Sequence, residues 1–171
     1  RNGARQSFPS VPAMCPDPSV MEILAPPQDR AAVEAIVGRV RAHFDRHGFG
    51  WWAAEFKETR AFIGFVGLSH IAFEAPFTPA VEVGWGLASA YWGKSFATEG
   101  ARAALAAGFT QLGLGEIVSL TVPANARSWR VMERIGMSHD PADDFDHPRL
   151  ADGDPLRRHV LYRITKAQWE R

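Results

Sequence analysis

One unit of the chain constrains its fold more than any other: a strand at 80–87, a helix at 96–112 and a strand at 116–122. In the first strand, Val81, Val83 and Trp85 share one face while Glu82 faces the other way. The helix carries an apolar stripe that includes a glycine, where another element can pack closely. Strand, helix, strand is a βαβ crossover, so the two strands are predicted to be parallel, with a right-handed connection.

The remaining segments extend this unit into one sheet. Helical spacing of apolar residues and runs of aromatic and branched residues separate the two kinds of element. Further helices are predicted at 29–47 and 128–135, and further strands at 51–56, 61–71 and 158–165. This order predicts an α/β (α+β) fold with a single mixed, mostly antiparallel sheet and helices on both faces.

Length and composition set the limits on domain number and partners. The 171 residues support one domain, 1–171. Lysine plus arginine and aspartate plus glutamate both number 19, so neither nucleic acid nor a membrane surface is an expected partner. No apolar run approaches the roughly 20 residues of a membrane span. A lone Cys15 forms no intrachain disulfide, which favours a cytoplasmic location, and exposed aromatic edges are compatible with a homodimer.

The stretch YWGKSFATEG, residues 91–100, indicates a phosphate-binding loop. A helix start offers free N–H groups and a positive dipole end, which suit an anion. A nucleotide P-loop needs a glycine five residues before Gly93, and Ala88 stands there. A plain turn before a helix is the second interpretation. The third uses Gly84 and Gly86, which let a ligand approach the preceding strand. An amide-rich arm on that strand and a pyrophosphate at the helix match the shape of coenzyme A.

Three quoted runs resemble a known family: EVGWGLASAYWGKSFATEGARAALAAGF (82–109), EIVSLTV (116–122) and PANARSWRVMERIGM (123–137). They are similar to the GNAT superfamily of N-acetyltransferases, and within it to the branch of ribosomal-protein N-terminal acetyltransferases. The resemblance implies central strands splayed around a cofactor cleft. It also places the family's phosphate motif on 92–97. Trp92 stands where the family has Gln or Arg, and Ser95 stands where the family has Gly. A serine is tolerated at that position if its φ is ordinary.

The resemblance implies acetyl transfer from acetyl-CoA to a primary amine, a small molecule or a protein N-terminus. It implies direct attack in a ternary complex, because Cys15 lies in a proline-rich stretch unsuited to an acyl carrier. The family's first strand has no counterpart in residues 1–12, so it is expected upstream of residue 1 or lost. The expected cofactor-binding residues are Trp85, Gly86, Leu87, Trp92, Gly93, Lys94, Ser95, Phe96, Ala97, Thr98, Asn125, Ser128 and Arg130.

Acetyl transfer needs a base, because an alkylammonium of pKa about 10 is almost wholly protonated at pH 7. Glu82 is the first candidate and His70 the second; the alternative for Glu82 is a surface residue or an ion-pair partner. Ser128 is the candidate proton donor to the departing sulfur, although it and Asn125 also suit a helix cap. Many family members carry a tyrosine acid where this chain has Met132.

The polar segment 138–156 combines aspartates with His147, and His159 follows it. Their spacing matches no metal-ligand set, so no metal is expected. The segment is either a solvated loop or, with Arg157 and Arg158, a wall of the acceptor pocket. The departures at Trp92, Ser95 and Met132 favour one functional alternative, a non-catalytic acyl-CoA-binding or interaction module on the same fold.

Overall fold

The computed structural model describes residues 30–171, so the expectations for residues 1–12 and for Cys15 lie outside the described part. Within it, the helices are α1 Arg30–His47, α2 Phe96–Thr110, α3 Ala126–Arg134 and α4 Lys166–Trp169. The strands are β1 Trp51–Phe56, β2 Ala61–His70, β3 Val81–Leu87, β4 Glu116–Thr121, β5 Ser138–His139, β6 Phe145–Asp146 and β7 Arg158–Thr165.

The strands form a seven-stranded sheet in the order β1-β2-β3-β4-β7-β5, with β6 also paired to β7. Every strand pair is antiparallel except β3 with β4, which is parallel. The mixed, mostly antiparallel sheet and the parallel crossover are therefore confirmed.

The two parallel strands separate soon after they meet. Glu82 and Val118 form the register pair between β3 and β4, whereas β4 pairs with β7 over six residues from Glu116 to Thr121. On its other side β3 stays paired with β2 along its whole length. The sheet is thus open between the end of β3 and β4, and this gap positions the site described below.

Alternation along the strands divides the buried side chains into two clusters, one on each face of the sheet. The larger cluster contains Val83 and Ile117 and takes in side chains of α2, α3 and α4. The smaller cluster consists of Val118, Phe145 and Leu161, with half-buried residues of the 71–80 segment packed against it. Of the described helices, the three that follow β3 therefore lie on one face.

The expected close packing at Gly108 is confirmed. A Cβ at this position would lie 2.6 Å from Ile117 Cδ1 and 3.1 Å from Leu68 Cδ1. A Cβ there would displace the ends of these two buried side chains, which a tightly packed core resists. The glycine therefore lets Ile117 and Leu68 pack directly against the backbone of α2.

The segment predicted as one polar loop, 138–156, has more structure than expected. Two short strands, β5 and β6, pair with β7, and the Arg163 guanidinium binds Asp143 at 2.7 Å and Glu116 at 2.9 Å. A strand of two residues has no periodicity to read, so the sequence could not show it. The element ends also moved: α3 begins at Ala126, two residues earlier than predicted, and α2 ends at Thr110.

Candidate functional site

A tight turn leads from β3 into α2. A 3₁₀ turn at Ser89–Tyr91 is followed by Gly93 with φ +71° and by Ser95 with φ +65°. Ser95 is the N-cap residue of α2, but its side chain makes no capping hydrogen bond. The first N–H groups of α2 have no carbonyl partner within the helix and are directed at whatever lies before it. The condition under which a serine is tolerated at this position, an ordinary φ, is not met at Ser95, because its left-handed φ favours glycine.

Trp92 fixes this turn to its surroundings. Its indole Nε1–H donates to the Leu87 carbonyl at 2.8 Å, which ties the turn to the end of β3. From α3, the guanidinium of Arg127 lies 4.4 Å from the centre of the same indole ring. Trp92 therefore contacts both walls of the gap between β3 and α3.

Asn125 organises the start of α3. Its side-chain oxygen accepts from the Ser128 N–H at 3.3 Å, and its amide group donates to Thr121 Oγ1 at 3.0 Å and to Ser128 Oγ at 3.1 Å. The helix-cap interpretation of Asn125 is confirmed. Because the Ser128 oxygen accepts the Asn125 hydrogen, the Ser128 hydroxyl proton remains free to be donated elsewhere.

These elements enclose a cleft of about 300 Å³. It brings together every residue predicted for cofactor binding except Lys94, which is exposed and lies 5.6 Å from the Tyr91 ring centre. The lining residues are Trp85, Gly86, Leu87, Tyr91, Trp92, Gly93, Ser95, Phe96, Ala97, Thr98, Asn125, Arg127, Ser128, Arg130, Val131 and Arg134.

The sequence prediction missed two of the three arginines that α3 presents to the cleft. Arg130 was predicted, and Arg127 and Arg134 were not. Their spacing of three and four residues places all three on one helix face, which was a signal available in the sequence. Beside them, Arg102 donates to the Arg134 carbonyl at 2.8 Å and joins a second recess at the start of α2. Guanidinium groups and a helix N-terminus together favour a ligand with several phosphates.

Glu82 lies where β3 and β4 part, on the sheet face opposite α2. Its register partners are Ser69 on β2 and Val118 on β4. Burial raises the pKa of its carboxyl from 4.5 to about 7. Among residues 30–171 it has no hydrogen-bond or ion-pair partner, so the ion-pair alternative is not observed there. About two residues, or roughly 7 Å of strand, separate it from Gly84.

His70 lies apart from Glu82. It pairs with Val81, whose side chain faces the larger core cluster, so it occupies the opposite face. Its ring centre lies 5.6 Å from that of His43 and 4.4 Å from that of His47. The backbone N–H of His70 donates to His43 Nε2 at 3.0 Å. Burial, followed by the charge of His43, lowers the pKa of His70. Its role as a second base stays a prediction.

The packing bears on two further expectations, those for Gly84 and Met132. Gly84 is covered by the Trp51 ring, because a Cβ there would lie 2.2 Å from the ring edge. The glycine is thus required by protein packing on that face rather than by a ligand. Met132 is 1% exposed and belongs to the larger core cluster, outside the cleft lining.

In 30–171, no group of three or more His, Cys, Asp and Glu side chains is arranged to hold a metal ion. Over the same stretch, no helix is both long enough and apolar enough to cross a bilayer.

The sheet is opened between two parallel strands, and a helix start suited to phosphate lies beside the gap. A family model described as the acetyltransferase (GNAT) domain matches residues 4–138. The chain belongs to this family, and it is an acyltransferase enzyme. The GNAT resemblance is confirmed, and the nucleotide P-loop alternative is wrong, because the glycine-lysine-serine turn belongs to the GNAT fold.

Individual relatives agree with this assignment. The FsC-acetyl coenzyme A-N(2)-transacetylase of Aspergillus fumigatus is 30% identical over 166 residues, which are 91% of this chain and 68% of the relative. An acetyltransferase structure from Agrobacterium tumefaciens has a TM-score of 0.69 and 27% identity, covering 96% of this chain and 88% of that one. The ribosomal-protein-S5-alanine acetyltransferase of Vibrio fischeri has a TM-score of 0.66 at 22% identity, covering 84% and 79%. The last likeness shows the shared fold.

Proposed function

We propose that the protein transfers the acetyl group of acetyl-CoA to a primary amine that attacks the thioester directly in a ternary complex. The observation that carries this proposal is the placement of Glu82. It is a partnerless carboxyl within the described residues, at the point where β3 and β4 separate. The cleft lies beside α2 and α3, and Glu82 faces the other side of the sheet, so the gap is where two substrates meet.

The cleft residues suit the parts of acetyl-CoA. The backbone of Trp85, Gly86 and Leu87 offers amide groups to the pantetheine arm. The turn and first helical residues at 92–98 offer N–H groups to the pyrophosphate. Arg127, Arg130 and Arg134 add positive charge along α3. Together they support acetyl-CoA as the cosubstrate, and no step of the proposed reaction needs a metal.

Starting from the alkylammonium, the reaction forms a C–N bond, breaks the C–S bond and removes two protons from the nitrogen. One proton passes through Glu82 to solvent, and the departing thiolate is matched by one proton. Glu82 takes the amine's proton, through water where the amine lies beyond direct reach. A carboxyl with a pKa of about 7 suits this role, since a base works best near the operating pH. Ser128 gives a proton to the departing sulfur, because its hydroxyl hydrogen is not used by Asn125. Met132 is buried and its thioether has no proton to donate, so this task falls to Ser128 or to solvent.

The finer predictions on acceptor and assembly belong to this proposal. The acceptor is a small-molecule amine or a protein N-terminus. A cytoplasmic location and a homodimer stay predictions.

The test compares Glu82→Gln with the wild-type protein by two measurements. Calorimetric titration measures acetyl-CoA affinity, and thiol release with an amine panel measures turnover. We expect unchanged affinity and a loss of turnover of about 10²–10⁴-fold, the usual contribution of a general base. Glu58→Gln, at an exposed turn residue, is the matched control and should change neither.

Two results would contradict the proposal. Acetyl-CoA binding without turnover of any amine by the wild-type protein would favour the non-catalytic acyl-CoA-binding module. Undiminished turnover by Glu82→Gln would remove Glu82 as the base. A parallel titration with MgATP should show no binding.

A further inference from the structure

An aromatic surface lies on the same sheet face as Glu82. We define the aromatic wall as Phe73, Phe77, His147 and His159, which pack around the buried Phe145. The ring centres of Phe77 and Phe145 are 4.9 Å apart, and those of Phe73 and His147 are 4.5 Å apart. All four wall residues are half-buried, so each keeps a part of its ring exposed.

Register places the aromatic wall next to Glu82. Val118, the β4 partner of Glu82, packs with Phe145 and Leu161 in the smaller core cluster, and Phe73 and Phe77 pack against that cluster. The 71–80 segment that carries both phenylalanines leaves β2 and returns at β3, where the Ile71 N–H donates to the Ala80 carbonyl at 3.0 Å. Phe77 therefore lies five residues before Glu82 along the chain, and it packs against the cluster that contains Val118, the cross-strand partner of Glu82.

The two histidines of the wall present one acceptor and one donor. His159 Nδ1–H donates to the Arg157 carbonyl at 3.1 Å, so its Nε2 is free to accept. His147 Nδ1 accepts from the Arg149 N–H at 3.3 Å, so its Nε2 carries the hydrogen. Burial is the main cause that lowers the pKa of both histidines, so both are neutral at pH 7. The wall is thus uncharged and mostly apolar.

The arginines beside the wall already have partners. Arg149 donates to the Ala72 carbonyl and lies 5.9 Å from the Phe73 ring centre. Arg157 and Arg158 both pair with Asp146. The wall itself carries no carboxylate, and Glu74 of the same segment is exposed to solvent. A second ammonium group that left water to contact the wall rings would therefore lose its hydration without a countercharge on the wall in return.

We propose that the acceptor is a primary monoamine carried next to an aromatic ring, with the ring on the aromatic wall and the amine directed at Glu82. This inference rests on the proposed function and names the substrate class of its acceptor side. Ring-on-ring contacts with Phe73 and Phe77 supply binding that a short alkyl amine cannot make. The chemistry disfavours polyamines, because one carboxyl serves one ammonium.

The test measures kcat/KM for 2-phenylethylamine, n-butylamine and spermidine with saturating acetyl-CoA. We expect 2-phenylethylamine to exceed each of the others by about tenfold or more, since burial of an aromatic side chain is worth a few kcal/mol. Phe73→Leu should raise KM for 2-phenylethylamine about three- to tenfold and leave kcat nearly unchanged. Phe62→Leu, at a half-buried residue on β2 outside the wall, is the matched control and should change neither constant.

A binding measurement separates this inference from the proposed function. Calorimetric titration of the CoA-loaded protein with 2-phenylethylamine measures binding to the aromatic wall without any turnover. Binding that Phe73→Leu weakens, with no acetylation of any amine, would support the wall and overturn the proposed function. If the protein acetylates amines but prefers spermidine or n-butylamine, the inference about the aromatic wall is overturned and the proposed function stands. The same holds if Phe73→Leu and Phe62→Leu have equal effects. Neither binding nor acetylation of 2-phenylethylamine would also overturn the wall.

Discussion

Replacing Glu82 by glutamine should stabilise the protein above neutral pH, because the fold buries this carboxyl without an ion-pair or hydrogen-bond partner among residues 30–171. Its pKa is raised from 4.5 to about 7. A raised pKa in the folded state means that stability from the neutral form is fully present below pH 4.5 and is lost as pH rises through 7. Glutamine has a similar shape and no charge, so it removes this loss.

The magnitude follows from the shift of about 2.5 units. At about 1.4 kcal/mol per unit, the full linkage cost at pH 8 is about 3.4 kcal/mol. Glu82 keeps some contact with solvent, so we expect about 2 kcal/mol. For a protein of this size, that corresponds to a rise in Tm of roughly 4–8 °C.

The assay is urea unfolding of wild-type, Glu82→Gln and Glu58→Gln proteins at pH 5, 6, 7 and 8. The free energy of unfolding of Glu82→Gln should exceed that of the wild type only slightly at pH 5, and the difference should grow mainly between pH 5 and pH 7, where the carboxyl is ionised in the unfolded chain and neutral in the folded one. Above pH 7 the difference should level off. Glu58→Gln should follow the wild type throughout. A difference that is constant from pH 5 to pH 8 would refute the reasoning, since it would show that the carboxyl ionises in the folded protein as it does in water.

Three further predictions follow from the site and its surroundings. Ser95→Gly should raise the free energy of unfolding by about 0.5–1 kcal/mol in urea titrations, because φ is +65° there, whereas Ser95→Ala should change little; a destabilised Ser95→Gly would contradict this. Arg134→Gln should weaken acetyl-CoA binding by about three- to tenfold in calorimetry and reduce its salt dependence, because one cation leaves the cleft; unchanged affinity would place the phosphates elsewhere. His47→Gln should resist acid unfolding better than the wild type. Desolvation by neighbouring groups, and then the charges of His70 and His43, lower the pKa of the exposed His47 ring, so stability is lost as pH falls below 6.5; identical acid transitions would exclude this coupling.

The sheet could be predicted because its long strands carry their pattern in the sequence. Alternation in 81–87 separates Glu82 from Val83 and Trp85, and the packing keeps that separation. The short elements could not be predicted, because tertiary contacts hold them. β5 and β6 exist by pairing with β7. The four-residue α4 is held by a capping box between Thr165 and Gln168. A helix this short is too brief to show helical periodicity in the sequence.

The cleft could be predicted as a set of residues but not as a set of contacts. The positions of the family motifs predicted most of the lining residues. The φ angle at Ser95 and the hydrogen bond from Trp92 to the Leu87 carbonyl, however, depend on the three-dimensional geometry. The spacing of Arg127, Arg130 and Arg134 shows in the sequence that they share one helix face, but only the fold shows that this face is turned towards the gap. His70 lies on the sheet face opposite Glu82, because one residue along a strand reverses the face, and its role as a second base stays a prediction.

The opening of the sheet explains why the site lies where it does. From Trp85 to Leu87, β3 pairs with Val66, Phe65 and Gly64 of β2, while its pairing with β4 ends at Glu82. Backbone N–H and C=O groups on the open edge lack the strand partner that a continued ladder would give them, and such groups are costly when buried. A ligand with amides of its own supplies that partner. In the proposed function, the interruption of the β3–β4 ladder has two uses. It supplies an edge for an extended, amide-bearing arm and an opening between the cleft and the sheet face that carries Glu82.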